Sequence, residues 1–343
     1  MEMKEIPVTI IVSGKNSATT IRQCLESLAA QDWPVDEILV FDNDSSDGSQ
    51  DIIREVAAKS NAPIRLIDGG PDGFLCSAYN RGAAMAKSEI VVLCHSDGMV
   101  PSSGELRKLV VPLVEDTSAV AAYPRILMPR EVWNRFPFWQ KFVFVRAVDA
   151  TNHAVCAIFD AVRREAFLSV GGFNERRFKA GNGYGGEDSD FWRRIGTTGR
   201  RIYTEACAVH LHNFSPDFGW RSYMKTRKLM ARTYGKIIRF QRGVYCLGDM
   251  AFFIRPCLAL LPFVMGAASH LLFGRWISGV VCALAILCLF ALLNGWKMFT
   301  AWKNWLDPRM ALVVPCGVFM VYYESYWFFD GIFRKASDEE GGR

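Results

Sequence analysis

Glu89-Ile90-Val91-Val92-Leu93-Cys94-His95-Ser96-Asp97-Gly98 decides how the rest of the chain is read. Ile90 to Leu93 are consecutive apolar residues rich in β-branched side chains, the composition of a short strand buried on both faces. The run stops at His95-Ser96-Asp97-Gly98 and turns at Pro101. In an open α/β sheet, ligands bind beyond the carboxyl ends of the strands, so these polar residues point into the expected site. A carboxylate there, with an imidazole one residue removed, can hold a hard divalent cation against a substrate pyrophosphate. The plainer reading is a strand-end turn in which Asp97 caps the next helix.

The flanking segments repeat the same unit. Val8 to Ser13 is a strand, followed by the polar turn Gly14-Lys15-Asn16-Ser17 and a helix over about Thr20 to Ala30 that Ser17 or Thr19 would cap. Ile38 to Phe41 is a second strand, leaving through Asp42-Asn43-Asp44-Ser45-Ser46-Asp47-Gly48-Ser49. Acidic residues just past a parallel strand can accept hydrogen bonds from a base or ribose, which makes Asp42 the ligand candidate and Asp47 the cap of the helix at Gln50 to Lys59. A third strand at Ile64 to Ile67, a loop through Gly69 to Gly73 and a helix over Ser77 to Ala86 lead into the strand at Ile90; Val120 to Tyr123 adds another. Strands and helices alternating with short connections predict a doubly wound parallel sheet.

Composition divides the 343 residues unevenly: 1–245 read as an α/β protein, whereas 251–330 are dominated by apolar runs. The net charge of +5 is local as well. Arg221, Lys225, Arg227, Lys228, Arg232, Lys236, Arg239 and Arg242 follow one another with no acid between them, as suits an anionic membrane surface on the cytoplasmic side. A nucleic-acid patch is the rival, but no DNA- or RNA-binding motif accompanies it, so no nucleic-acid partner is expected. The ten cysteines show no CxxC pair and read as small buried hydrophobes in a reducing compartment. The N-terminus runs straight into a strand, so no signal peptide is expected.

Further along, Ile126 to Ala150 interleaves aromatic residues, Trp139 among them, with basic ones. That pattern fits a membrane-interface segment or one framing a lipid acceptor, and equally an ordinary amphipathic core helix. Glu187-Asp188 opens a helix after a glycine-rich approach, where the helix dipole favours the ionised carboxylate that a general base requires. His210 and His212 alternate after a strand. Residues 251–273, 276–299 and 310–329 are each about long enough to cross a hydrocarbon core of ~30 Å, and 334–343 form a polar tail.

Together the motifs resemble the family-2 glycosyltransferases, which have the GT-A fold. The resemblance rests on VTIIVSGKNSATTIRQCLESLAAQDWPVDEILVFDNDSSDGS, on Gly73 with Ala78-Tyr79-Asn80-Arg81-Gly82, on Gly172-Phe173-Asn174-Glu175, and on Gly186-Glu187-Asp188-Ser189-Asp190-Phe191-Trp192-Arg193-Arg194. It covers roughly residues 6–240. Ser13 stands where the family often has proline, Asp44 where it has glycine, and Tyr79 where it has arginine; the metal motif Asp-x-Asp reads His95-Ser96-Asp97.

The resemblance implies a Rossmann-like GT-A domain over 1–245, with 126–150 and 221–245 as membrane-interface elements, followed by transmembrane helices over 246–333. Ser13, Asn16, Asp42, Asp44, Gly73, Asn80, His95, Ser96 and Asp97 would bind the nucleotide sugar, UDP-linked by expectation. Asp97, His95 and either His210 or His212 would hold Mg²⁺ or Mn²⁺. Asp188, with Glu187 as understudy, would be the catalytic base, and Gly186, Trp192 and Trp139 would face the acceptor. The expected enzyme is an inverting transferase on the inner membrane, multi-pass, with its catalytic domain in the cytoplasm and a lipid-linked hydroxyl as acceptor; an oligomer is compatible with it. The alternatives are transfer to a polyprenyl phosphate, which needs no base, and a degenerate subunit that binds without chemistry. If 251–330 are integral to a membrane, carbonate at high pH will leave the full-length protein in the pellet; release into the supernatant would refute the assignment.

Overall fold

The computed structural model describes residues 5–70, 74–149, 157–175, 186–211, 216–240, 247–304 and 306–333. Gly73, His212, most of the glycine-rich approach to Glu187 and the polar tail lie outside them. The chain forms two compact units. The first comprises Met1–Pro129, Asp149–Ala180 and Glu187–Phe214; the second comprises Arg130–Val148, Gly181–Gly186 and Ser215–Arg343.

In the first unit the strands are β1 (Val8–Gly14), β2 (Val35–Asp42), β3 (Ile64–Asp68), β4 (Ile90–His95), β5 (Gly98–Met99), β6 (Ala119–Leu127), β7 (Asp160–Arg163) and β8 (Arg200–His210). They form one sheet in the order β3-β2-β1-β4-β7-β6-β8-β5. The helices are α1 (Ile21–Ala29), α2 (Ser49–Lys59), α3 (Leu75–Met85), α4 (Glu105–Glu115), α7 (Arg164–Ser169) and α8 (Glu187–Ile195), with α5 (Arg130–Arg135) and α6 (Phe138–Val143) in the second unit.

Strand alternation sorts the core into two layers. Ile10 and Val12 of β1 and Val92 of β4 pack with Leu25, Ile53 and Leu109 of α1, α2 and α4. Ile11, Leu39 and Leu93 pack with Tyr79, Phe167 and Phe191 of α3, α7 and α8. Covered on both faces, Ile10–Val12 of β1, Ile38–Phe41 of β2 and Ile90–Cys94 of β4 must be apolar, which is why the sequence reads as continuous runs there.

The expectation of a wholly parallel sheet holds for β1 to β4 and for β6 with β8, and fails at β7 and β5. β7 runs antiparallel to both β4 and β6, and β5 antiparallel to β8. A parallel strand needs a crossover element over the sheet. The helices between β6 and β7 belong to the second unit, so that connection supplies none. The cap of α1 also differs from expectation: the Ser17 carbonyl accepts the Thr20 and Ile21 amides, while its hydroxyl is drawn to Ser96. Asp47 does serve the start of α2, accepting the Ser49 amide at 3.1 Å.

The second unit contains α5, α6 and four longer helices: α9 (Trp220–Phe240), α10 (Leu247–Phe273), α11 (Trp276–Ala301) and α12 (Val313–Phe333). Among the described residues, three stretches are long and apolar enough to cross a membrane: Phe253–Phe273, Trp276–Ala301 and Pro308–Phe333, with mean hydropathies of 1.7, 2.6 and 1.2. Small residues set their packing, as is usual where no water drives helices together. A Cβ on Gly317 would stand 2.6 Å from that of Ala291, and one on Gly295 would stand 2.5 Å from Val313 Cγ1.

Of the two readings of 126–150, interfacial or acceptor-framing segment and amphipathic core helix, the burial of several aromatic side chains fits the second. Trp133, Phe136 and Phe138 are buried, and Lys141 Nζ lies 4.6 Å from the centre of the Trp302 ring. The basic helix α9 is not unopposed either. Arg227 pairs with Glu324 at 2.6 Å and Arg232 with Asp330 at 2.7 Å, both acids of α12.

Gly235 and Gly331 let these two helices touch backbone to backbone. A Cβ on Gly235 would overlap the Phe328 carbonyl oxygen. Overpacking of this kind costs ~1–3 kcal/mol. Gly235→Val should therefore lower the melting temperature of the purified protein by several degrees, whereas an unchanged melting temperature would contradict the close approach of α9 to α12.

Candidate active site

Three parallel strands end level. Ser13 of β1 lies opposite Phe41 of β2 and His95 of β4, and Gly14 lies opposite Asp42. The loops that follow are laced together by the backbone groups these strand ends leave over. Ser96 donates its amide to the Ser13 carbonyl at 3.0 Å, and Asn43 donates its own to the Gly14 carbonyl at 3.0 Å. Ser17 donates its hydroxyl to Ser96 Oγ at 2.8 Å, and the Asn43 side-chain amide donates to Ser13 Oγ at 3.2 Å. A Cβ on Gly14 would stand 2.6 Å from Ser17 Oγ, so only glycine fits.

Asp42 is nearly buried, and its Oδ2 accepts from the Ser45 amide at 3.0 Å and the Gln50 side chain at 2.8 Å. Oδ1 takes no part in these two bonds. Asn16 and Asp44 lie on the exposed lip, both in the left-handed region, at φ 51° and 61°. Asp44 thus occupies the conformation that explains glycine at this position in the family resembled.

The pairing of β5 with β8 brings a distant histidine to the strand ends. Gly98 lies opposite His210, and Leu211 donates its amide to the Asp97 carbonyl at 2.8 Å. His210 Nε2 is 3.1 Å from Asp97 Oδ2, and His95 Nδ1 is 3.9 Å from Asp97 Oδ1. One ligand atom from each of the three lies within 4.8 Å of the others. Burial lowers His95 to about 4, with His210 adding to the effect against the opposing pull of Asp97. The imidazole is therefore neutral at pH 7, the form that ligates a cation. Its Nε2 is buried with no hydrogen-bond partner among the described residues. The cluster suits a divalent metal. Of the two histidines left open by the sequence, His210 is the one placed at Asp97; His212 and Gly73 lie outside the described residues.

Asn80 was expected to line the nucleotide pocket. Its Oδ1 accepts the Phe173 amide at 2.8 Å, and its Nδ2 donates to the Phe173 carbonyl at 3.0 Å and to Glu175 Oε1 at 2.7 Å. The side chain is thus committed to the Gly172–Glu175 turn, where Gly172 is left-handed at φ 63°. Arg194 grips the same turn from α8, donating to the Val170 and Gly172 carbonyls at 2.8 Å each while pairing with Asp190 at 2.7 Å.

Glu187 and Asp188 begin α8, and Glu187 Oε2 and Asp188 Oδ1 are buried without a hydrogen-bond partner among the described residues. Burial pushes Asp188 well above the ordinary carboxylate range, and the nearby charges of Glu187 and Asp160 push it further. Burial raises Glu187 too. The expectation that the helix dipole keeps Asp188 ionised is corrected here. A terminus contributes ~0.3–1 kcal/mol when exposed, whereas full burial can shift a carboxylate by several pKa units, about 1.4 kcal/mol each.

Asp160 of β7 was not singled out from the sequence. It is fully buried, and its Oδ2 accepts the Ala157 amide at 2.8 Å. An acid inside the apolar run Ile158-Phe159-Asp160-Ala161-Val162 was the available signal. Trp192, expected on the acceptor side, is instead a core residue, 2% exposed and edge-on to Tyr123 at 4.9 Å. Two turns of helix cannot present both Trp192 and its neighbour Phe191 to solvent while closing this layer, and both rings go inward. Gly186, left-handed at φ 99°, and Trp139 belong to the second unit; Trp139 lies there tilted against Trp220, 4.6 Å between ring centres.

Residues 9–171 match the family model described as "Glycosyl transferase family 2", and residues 155–216 match one described as "N-terminal domain of galactosyltransferase". The chain is 30% identical over 251 residues to "Probable glycosyltransferase YdaM" of Bacillus subtilis (strain 168), covering 67% of this chain and 56% of that protein. It is 33% identical over 98 residues to EpsH of the same organism, covering 29% and 28%. It therefore spans little more than half the length of the first relative and less of the second. Among solved structures, the mannosyltransferase PcManGT from Pyrobaculum calidifontis, in complex with GDP-Man and Mn²⁺, has a TM-score of 0.56 at 20% identity, covering 94% of this chain and 88% of that one.

The metal reading of the strand-end cluster has a direct test. Losing even an outer partner of a metal site weakens binding by about 10–100-fold. Asp97→Asn and His210→Ala should each weaken Mn²⁺ binding at least that much, followed by electron paramagnetic resonance without any donor. Wild-type affinity in both variants would remove the metal from this cluster.

Proposed function

Because the chain carries a family-2 glycosyl transferase domain on a GT-A fold, we propose that it moves a sugar from a nucleotide sugar, UDP-linked, to a hydroxyl of a lipid-linked acceptor with inversion at the anomeric carbon. The observation that carries this reading is the Asp97–His210 contact of 3.1 Å beside His95, at the strand ends where Ser13 and Asp42 also stop. Asp42 Oδ1 accepts from the base, and the interlocked Asn16–Ser45 and Ser17–Ser96 loops shape the floor on which the nucleotide lies. Asp97, His95 and His210 hold the metal. Two imidazoles with one carboxylate favour Mn²⁺ over Mg²⁺, which prefers oxygen ligands. A cation bound there supplies positive charge to the departing diphosphate.

Asp188 takes the acceptor's hydroxyl proton. The freed oxygen forms its bond to the anomeric carbon as the bond from that carbon to the diphosphate oxygen breaks, and the electron pair leaves with the diphosphate. A carboxylate held in a buried site, with Glu187 and Asp160 as like-charged neighbours, is a stronger base than one in water. Asp190, neutralised by Arg194, is unsuited to that role. The apolar helices support a multi-pass anchor, in this reading in the inner membrane, with the transferase domain in the cytoplasm and a lipid-linked acceptor.

Removing a positioned base lowers the rate by ~10²–10⁴. Asp188→Asn should reduce kcat by about that factor with little change in donor affinity, and Glu187→Gln should do less. If the acceptor were a phosphate, already ionised, Asp188→Asn would instead weaken acceptor binding and spare kcat.

The pH dependence separates a base from a merely structural acid. Asp188 must be ionised to act and its pKa is raised, so kcat should fall as pH drops through a value above the usual carboxylate range. Asp160→Asn removes one of the charges raising it and should move that acid limb to lower pH. An acid limb unmoved in Asp160→Asn would take Asp160 out of the site's electrostatics.

A further inference from the structure

Tyr79 of α3 is fully buried, and its hydroxyl is shared between the Cys94 carbonyl at 3.0 Å and the Ala157 carbonyl at 3.1 Å. These two acceptors lie where two strands part. Leu93 of β4 opposite Asp160 of β7 is the last pair of that ladder, and Cys94 and Ala157 stand beyond it. Two carbonyls cannot satisfy each other, so a donor has to come from a third element.

Both acceptors belong to the frame of the strand-end cluster. Cys94 immediately precedes His95. At the other end of the His95–Gly98 turn, a Cβ on Gly98 would stand 3.1 Å from the Ile158 carbonyl oxygen, so the segment that begins at Ala157 backs directly onto Gly98. Ala157 is left-handed at φ 54°, and its amide donates to Asp160 Oδ2 at 2.8 Å. A β-carbon disfavours that conformation, which persists only where the surroundings impose it. Asp160 holds the amide and Tyr79 the carbonyl. The His95–Gly98 turn is thus braced at both ends by contacts that lead to one hydroxyl. The Tyr79 ring lies 6.5 Å from the His95 ring, centre to centre, and Phe173 backs it at 5.4 Å.

We propose that Tyr79 is a positioning residue of the metal cluster: by holding the Cys94 and Ala157 carbonyls, its hydroxyl sets where His95 presents its ring nitrogens to a divalent cation. The proposal rests on the reading of Asp97, His95 and His210 as the metal ligands. Tyr79 and His95 are both positions at which the chain departs from the family pattern, and the two departures meet here. Tyrosine supplies a donor without a charge. An arginine in this buried place would set a cation beside a neutral imidazole that has to receive another.

Tyr79→Phe removes the hydroxyl and keeps the ring. Groups that orient metal ligands typically change affinity by about 10–100-fold. Mn²⁺ binding to the full-length protein in detergent, followed by electron paramagnetic resonance with no donor present, should therefore weaken at least about tenfold in Tyr79→Phe. The modulation that imidazole nitrogens impose on the electron spin echo of the bound ion should diminish as well, which a general loosening of the fold would not produce. Loss of a buried hydrogen bond also lowers stability. Ala157→Gly relieves the left-handed backbone and so offsets that loss without restoring the hydroxyl. The same weakening should separate the Tyr79→Phe/Ala157→Gly double variant from Ala157→Gly alone, so the comparison holds even where Tyr79→Phe by itself fails to fold. Equal Mn²⁺ affinity or undiminished modulation in either comparison, with the wild type binding the ion, would overturn the proposal and leave the metal reading standing. A wild-type protein that binds no Mn²⁺ would remove both.

Discussion

A strand that ends inside a protein leaves its last carbonyls to be satisfied by whatever lies beside them. Here the loops leaving β4, β2 and β3 each donate their first amide to the end of the neighbouring strand. Ser96 bonds to Ser13, Asn43 to Gly14, and Gly69 to Asp42. The arrangement leaves little room, and Gly14 and Gly69 answer that: a Cβ on Gly69 would stand 2.8 Å from the Asp42 carbonyl oxygen. Backbone satisfaction, more than any side-chain contact, thus fixes where Ser13, Asp42 and His95 stand relative to one another. The two-residue strand β5 extends the same device, since its pairing with β8 holds His210 against Asp97.

Four carboxylates near the start of α8 show how burial divides labour among like groups. Asp190 is 5% exposed at its side chain but pairs with Arg194 at 2.7 Å, so it works as a strut between α8 and the Gly171–Gly172 turn. Asp160 is fixed by the Ala157 amide and contributes its charge. Asp188, with Glu187 beside it, has a buried oxygen without a partner, and desolvation raises its proton affinity. Two residues of spacing separate Asp190 from Asp188. The helix places them on different sides, and Arg194 pairs with Asp190.

Much of this was legible in the sequence because it is local. Strands buried on both faces read as apolar runs, and the polar residues ending them, Ser13, Asp42 and His95 to Asp97, are found where the strands stop. The features that were not legible depend on partners far along the chain. Asn80 is defined by Phe173 and Glu175, more than ninety residues on, and not by its own helix. Trp192 reads as an exposed motif residue until Tyr123 and Phe191 are seen to enclose it. The order of β7 between β4 and β6 has no local signature, since a strand's direction depends on how its connection returns to the sheet.

The basic helix α9 shows the same limit most sharply, because charge balance is a property of space and not of sequence. Its run of Lys and Arg contains no acid, and read locally it needs an external anion. Glu324 and Asp330, about a hundred residues later, face Arg227 and Arg232. Both acids lie on a helix otherwise apolar enough to cross a membrane, where an unpaired carboxylate would be strongly disfavoured. Each side therefore explains the other: the acids tolerate burial because the basic helix runs beside them, and that helix packs closely because the acids draw it in. Arg255 of α10 reaches the second oxygen of Glu324, so that one acid ties both α9 and α10 to α12.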